Sequence, residues 1–367
     1  MTVRAYLRPT GFVDSPFDLD GKVARLAGGL LWFAMVEIVV MDDLRRESIA
    51  LVPIEGVETA MERLPDGARE SARRAWEHIT SARSPIRLGE RVIRLDQPQI
   101  AGILNITPDS FSDGGRFGED VMAAADAGFA MATAGAAIID VGGESTRPGA
   151  KPVWEGDEVL RILPVVERLA GGGTALSVDT RKAAVMEAAL AAAPVMINDV
   201  SALTFDPLAV DVIARSGCPI VLMHHQGPPE TMQDSPRYDQ PVHFEVYDWL
   251  EERIEAAIEA GIDRSNIIVD PGIGFGKNVQ HNLKLMNGLA VLHGLGCPIM
   301  FGGSRKRFIG ALSNEAPADQ RLGGSIALAM KAAEQGAQIL RVHDVPESVQ
   351  ALRVWRGLRD AALTPKG

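Results

Sequence analysis

The sequence predicts an α/β chain built on a (β/α)8 barrel, a TIM barrel, with a small N-terminal α+β appendage. Three observations predict it. Eight short apolar runs, most of them β-branched, recur from residue 100 onward, at 100–106, 136–141, 175–178, 195–197, 219–223, 267–269, 298–301 and 339–342. Segments of helical composition lie between most of them, at 121–135, 154–169, 182–193, 205–216, 244–260 and 322–336. Finally, every run stops at ionisable or amide side chains. These are Asn105, then Asp140 with Glu144 and Arg147, Asp179, Asn198-Asp199, His224-His225, Asp270, Ser304-Arg305-Lys306, and Arg341 with His343. In a parallel barrel these ends meet at one rim, the face that carries active sites. A single Asp after a strand is often only a helix cap. Eight polar strand ends together are poorly explained by capping.

Taken in chain order, residues 1–85 form the appendage. Residues 34–41 and 49–54 have strand character and 67–81 has helix character, and none of them carries recognisable chemistry; a packing or dimerisation module is expected. The apolar run 26–41 is too short to span a membrane and holds Glu37, so it is expected as a buried strand or helix. Residues 86–95 predict a hairpin turning at Gly89-Glu90, assigned to closing the barrel bottom, and the barrel with this hairpin occupies 86–367. The first barrel strand runs into Asn105-Ile106-Thr107-Pro108-Asp109-Ser110-Phe111-Ser112-Asp113-Gly114-Gly115. That density of donors and acceptors has no use in a core, where each needs a partner. It suits a loop that grips a charged, oxygen-rich ligand.

A doubly wound nucleotide fold is excluded by the same segment, because the first strand is not followed by G-x-G-x-x-G. Gly272-Ile273-Gly274-Phe275-Gly276-Lys277 follows the sixth strand, has three residues between its outer glycines, and precedes Asn278 where a Walker loop needs Ser or Thr. The net charge of −11 disfavours nucleic acid and anionic membrane surfaces. The start, Met1-Thr2-Val3-Arg4-Ala5-Tyr6, lacks a signal-peptide core, and Cys218 and Cys297 fit no zinc spacing, so reduced cysteines and a cytoplasmic location are expected.

The rim residues divide by chemistry. Asn105, Arg147, Lys306, Arg341 and His343 suit a phosphate or pyrophosphate, with a divalent cation on oxygen ligands. Asp179, Asn198 and Asp270 close their strands deep in the mouth, where acceptors suit the N–H edge of a planar, nitrogen-rich heterocycle, and Lys306 balances their charge. Neither a Ser-His-Asp order nor a His-Glu metal cluster is evident. The chemistry that remains is a transferase displacing pyrophosphate from an activated heterocycle.

The residues then resemble a known family. Leu104-Asn105-Ile106-Thr107-Pro108-Asp109-Ser110-Phe111-Ser112-Asp113-Gly114 and Gly142-Gly143-Glu144-Ser145-Thr146-Arg147-Pro148-Gly149-Ala150 are similar to the two signature segments of dihydropteroate synthases. Further matches are Ser177-Val178-Asp179-Thr180, Ile197-Asn198-Asp199-Val200-Ser201, Leu222-Met223-His224, 270–277, Ser304-Arg305-Lys306 and 341–345, so the likeness covers about residues 98–355.

The resemblance implies condensation of 6-hydroxymethyl-7,8-dihydropterin diphosphate with 4-aminobenzoate in folate biosynthesis. It implies that Asp179, Asn198, Asp270 and Lys306 hold the pterin, with Met223 and Phe275 lining its site. Asn105, Arg341 and His343 would hold the diphosphate, with Mg2+ on Asn105. Thr146, Arg147, Pro148, Phe275 and Arg307 would build the aminobenzoate site. Asp109, Lys306, Asp179 and Asp270 would be catalytic, and the assembly a homodimer. The chain departs from the family pattern at Arg307, Gly303, His225 and Ala202.

Overall fold

The computed structural model describes residues 3–42, 44–106, 117–145, 152–227 and 231–364. The appendage holds β1 (Val3–Val13), β2 (Ala24–Arg25), β3 (Trp32–Asp42), β4 (Arg45–Pro53), α1 (Val57–Glu62) and α2 (Asp66–Thr80). The strands form an antiparallel sheet in which β1 lies on one edge of β3, and β2 and β4 share the other. Within the run 26–41, residues 32–41 are strand and 26–31 form a turn before it, and β1 was not foreseen. Its residues do not alternate in burial, because Ala5 and Leu7 join a core with Ala72 and Ile79 of α2 while Tyr6 faces the barrel. A strand covered on both faces loses the period-2 pattern that reveals strands in sequence.

The hairpin β5 (Ile86–Leu88) and β6 (Arg91–Ile93) turns at Gly89-Glu90 as expected. Alternating elements follow: β7 (Gln99–Asn105), α3 (Phe117–Ala134), β8 (Ile138–Gly142), α4 (Glu155–Gly171), β9 (Leu176–Asp179), α5 (Ala183–Ala192), β10 (Val195–Asp199) and α6 (Ala209–Ser216). The second half is β11 (Ile220–Met223), α7 (Val242–Glu259), β12 (Ile267–Asp270), α8 (Val279–Gly288), β13 (Met300–Phe301), α9 (Arg307–Leu312), α10 (Leu322–Glu334), β14 (Ile339–Val342) and α11 (Val345–Leu363). The eight strands β7 to β14 pair in parallel, β14 beside β7, and a bridge from Val269 to Ile299 closes the circle. The predicted barrel is present.

Its bottom is plugged. Ile86, Leu88, Ile93 and Leu95 of the hairpin segment pack on Ala101, Ile138, Ala175, Met196, Val221, Ile268, Met300 and Ile339, a layer drawn from the start of every barrel strand. Outside, the helices close a continuous apolar shell over the strands, and the Tyr6 ring stacks on Phe244 of α7 at 4.2 Å between centroids. Among the described residues no helix is long and apolar enough to cross a membrane.

Candidate active site

Side chains two positions beyond that bottom layer point into the barrel again, because strand side chains alternate. Here the apolar code stops. The second inward positions include Asp140, Ser177, Asn198, Met223, Asp270 and Arg341, and a further step along β7 and β9 brings in Asn105 and Asp179. Asp140 and Ser177 are fully buried, and Asp179, Asn198 and Asp270 nearly so.

A single guanidinium ties this layer together. Arg341 donates from Nε to Asp140 at 2.6 Å and from Nη2 to Asp179 at 2.7 Å, and Asn198 Nδ2 donates to the same Asp140 oxygen at 3.3 Å. The second oxygens of Asp140 and Asp179, and the Ser177 hydroxyl, have no partner among the described residues. Burial pushes Asp179 up to about 7, with Arg341 pulling down and Asp140 repelling it further up. Burial works against the Arg341 charge, but Asp140 and Asp179 outweigh it and hold the guanidinium cationic. Unpaired carboxylate oxygens in a dry mouth are acceptors waiting for N–H donors.

Asp270 is held in place by the turn that follows it. Its Oδ1 accepts the Gly272 N–H at 2.7 Å, and burial raises its pKa against that bond and against Lys306. Gly272, at φ +65°, lies so close to His224 that a Cβ would sit 1.8 Å from that carbonyl oxygen, so only glycine fits. Gly274 and Gly276 are also left-handed. The Lys277 side chain fills the inside of this turn, donating to Gly272 O and Phe275 O at 3.0 Å each and to His224 Nδ1 at 2.8 Å. Phe275 is thereby presented at the mouth, with Lys306 Nζ 4.1 Å from its ring centroid.

Neighbouring residues divide the labour. Asn198 points inward, whereas Asp199 caps its own turn, accepting from Ser201 N, Ser201 Oγ and Leu203 N at 2.6–2.7 Å. Ala202 (φ +50°) and Leu203 (φ +62°) are left-handed, which explains why glycine is the easier residue at 202. Arg305 pairs with Asp344, and the Ser304 hydroxyl accepts the His343 backbone N–H at 3.2 Å with Nδ1 3.0 Å away. Gly303 is required beside Phe301, since a Cβ would meet that ring at 2.6 Å. His225 sits edge-on to Trp249, and Arg307 is exposed at the start of α9.

The structure therefore brings Asn105, Asp179, Asn198, Met223, Asp270, Phe275, Lys306, Arg341 and His343 to one mouth. Asp109, Thr146, Arg147 and Pro148 lie outside the described residues. Sequence reasoning placed Asp140 at the rim without a partner and gave no role to Ser177 or Lys277. The signal for Asp140 was an acid two residues inside a buried parallel strand, where only a buried cation can hold it. It also missed the anchor beneath the second loop. There, Glu144 accepts the Val153 N–H at 2.9 Å, Lys182 Nζ at 3.0 Å and Arg181 Nε at 3.1 Å, and Lys182 also reaches Glu158 at 2.6 Å.

A family model described as pterin binding enzyme matches residues 101–343. A dihydropteroate synthase of Escherichia coli (strain K12) is 47% identical over 261 residues, 71% of this chain and 91% of the relative. The chain belongs to the dihydropteroate synthase family. Among solved structures of that family, the Xanthomonas albilineans enzyme with 4-aminobenzoic acid superposes with a TM-score of 0.70 at 46% identity, over 76% of this chain and 99% of that one. The same enzyme in complex with 7,8-dihydropteroate gives 0.68 at 44% identity, over 75% and 98%. The pterin binding enzyme family model begins at residue 101 and leaves the N-terminal sheet outside it.

Proposed function

We propose that this chain joins 6-hydroxymethyl-7,8-dihydropterin diphosphate to 4-aminobenzoate, releasing pyrophosphate and forming 7,8-dihydropteroate. One observation carries the reading beyond family membership: buried carboxylates and an amide converge on the barrel mouth around a single guanidinium, with carboxylate oxygens still unpaired. Asp179, Asp270 and Asn198 take the N–H edge of the pterin, and Met223 and Phe275 take its faces. As the C–O bond to the diphosphate breaks, positive charge grows on the pterin, and the surrounding carboxylates stabilise it. Arg341 and His343 face the departing anion from the end of β14. The amine of aminobenzoate then forms the new C–N bond and gives up a proton.

Asn105 fits the implied Mg2+. Its side-chain oxygen lies at the end of β7, 3.7 Å from where a Gly142 Cβ would stand, and glycine there leaves the space open. One amide oxygen together with diphosphate oxygens is an ordinary setting for this ion. When bound, Mg2+ supplies positive charge to the leaving group. Asp109 and the Thr146-Arg147-Pro148 segment complete the aminobenzoate side, with Arg307 at its edge. We also propose a homodimer through the late helices, supported by exposed Leu312, Val354 and Leu358, a cytoplasmic location, supported by two free buried cysteines, and a division of the chain at residues 85/86.

The purified protein should release pyrophosphate from the pterin diphosphate and form dihydropteroate when aminobenzoate is added, with chelation of Mg2+ lowering the rate by about tenfold or more. Tight pterin binding without product would overturn the synthase reading.

A further inference from the structure

The N-terminal sheet carries no chemistry of its own, yet its first strand makes polar contacts with α7, the helix that follows β11. Tyr6 of β1 is 2% exposed and donates its hydroxyl to both oxygens of Asp248 on α7, at 2.8 and 2.7 Å. Arg4 of the same strand grips Asp248 at 2.7 Å and Glu251 at 2.9 Å. Tyr6 packs with the barrel core and not with the appendage's own.

Asp248 has a third partner. Gln240, the last side chain before the α7 cap Pro241, donates to it at 2.8 Å. Gln240 ends the stretch 231–240, which lies against the glycine turn of the pterin pocket. Tyr238 donates to the Gly276 carbonyl at 2.9 Å, and Gln233 donates to the Gly274 carbonyl. These two carbonyls flank Phe275. The path thus runs from the appendage through Asp248 to Gln240, along the main chain to Tyr238, and on to the turn whose Phe275 lines the mouth beside Lys306.

We propose that the appendage is a positioning module for the pterin pocket: Tyr6 and Arg4 fix Asp248, and Asp248 fixes the β11–α7 segment that holds the glycine turn in its binding-competent shape. Tyr6 is a positioning residue and touches no substrate. The inference rests on the pterin reading of the mouth. It accounts for a sheet that the family model does not cover, and it explains why the sheet's interface with α7 is built from fixed polar contacts rather than apolar area alone.

The test is calorimetric titration of the full chain with 6-hydroxymethyl-7,8-dihydropterin, alongside steady-state kinetics. Tyr6→Phe keeps the ring on Phe244 and removes one donor, and is expected to weaken pterin binding about three- to tenfold, the ordinary net worth of one intramolecular hydrogen bond. The KM for aminobenzoate, whose site shares Phe275, should rise by no more than the same factor. Gln240→Leu should have a similar effect, and the double variant should be no worse than Gln240→Leu alone. Ile49→Ser, on the exposed strand β4, should leave pterin binding as it was. Pterin affinity unchanged in folded Tyr6→Phe, or additive losses in the double variant, overturns the inference. If Tyr6→Phe does not fold, unchanged pterin affinity in Gln240→Leu overturns it just as well. A wild-type chain that binds no pterin would instead overturn the reading of the mouth on which the inference stands.

Discussion

At the scale of single residues, the mouth is an electrostatic balance centred on Arg341. A guanidinium between two buried carboxylates is stable only as a set, since removing one partner leaves a buried charge uncompensated. Asp140 both anchors Arg341 and repels Asp179, and it raises the Asp179 pKa after burial has already done so. The acid limb of kcat/KM for the pterin substrate is therefore expected near pH 7, as Asp179 takes up a proton and stops accepting from the ring. Asp140→Asn removes the like charge, which lowers that pKa, so the limb should move to lower pH while the maximal rate falls. A limb that stays in place in the variant, read from a pH–rate profile, would assign the titration elsewhere. The strand ends Asp179, Asn198 and Asp270 were legible in sequence because each closes an apolar run. Asp140 was legible as a rim acid of the second run, but its pairing with Arg341 and the level it shares with Ser177 were not, since each sits two residues short of its strand's end and only the barrel pleat brings them together.

At the scale of elements, the turn from Asp270 to Lys277 is a short structure organised by an internal lysine. Lys277 satisfies two carbonyls and His224, and burial drives its pKa well below the usual lysine value. Methionine matches its length but donates nothing. Lys277→Met should cost about 2–4 kcal/mol in urea unfolding through stranded buried acceptors, and should weaken pterin binding because Phe275 loses its seat. Full stability with normal pterin affinity would show that the turn holds itself. In sequence this segment looked like a failed nucleotide loop; its spacing excluded a phosphate cradle but could not reveal that the lysine turns inward. The helices of the barrel were easier, as were the hairpin and its turn at Gly89-Glu90. Helix α8 was hidden by its mixed composition, although Asn278 and His281 form a capping box at its start.

At the scale of the whole molecule, the barrel and its appendage share an apolar face through Tyr6, Val39 and Met41. A chain beginning at Ser84 would expose Phe244 and Tyr247 and strip Asp248 of Arg4 and Tyr6. Its thermal midpoint should fall by about 10 °C or more if it stays soluble; an unchanged midpoint would mean that the sheet merely rides on the barrel. The eightfold architecture could be read from sequence because buried parallel strands announce themselves as continuous apolar runs. The appendage could be read only in part, because β1 contacts two different cores and its pattern averages out. The hairpin beneath the barrel has a further consequence. Every barrel strand is fastened to it at one end and meets the ligands at the other. Cohesion and chemistry are thus written in different residues of the same strands. Substitutions that retune ligand recognition leave the fastened layer intact, so the mouth can drift under selection while the barrel persists.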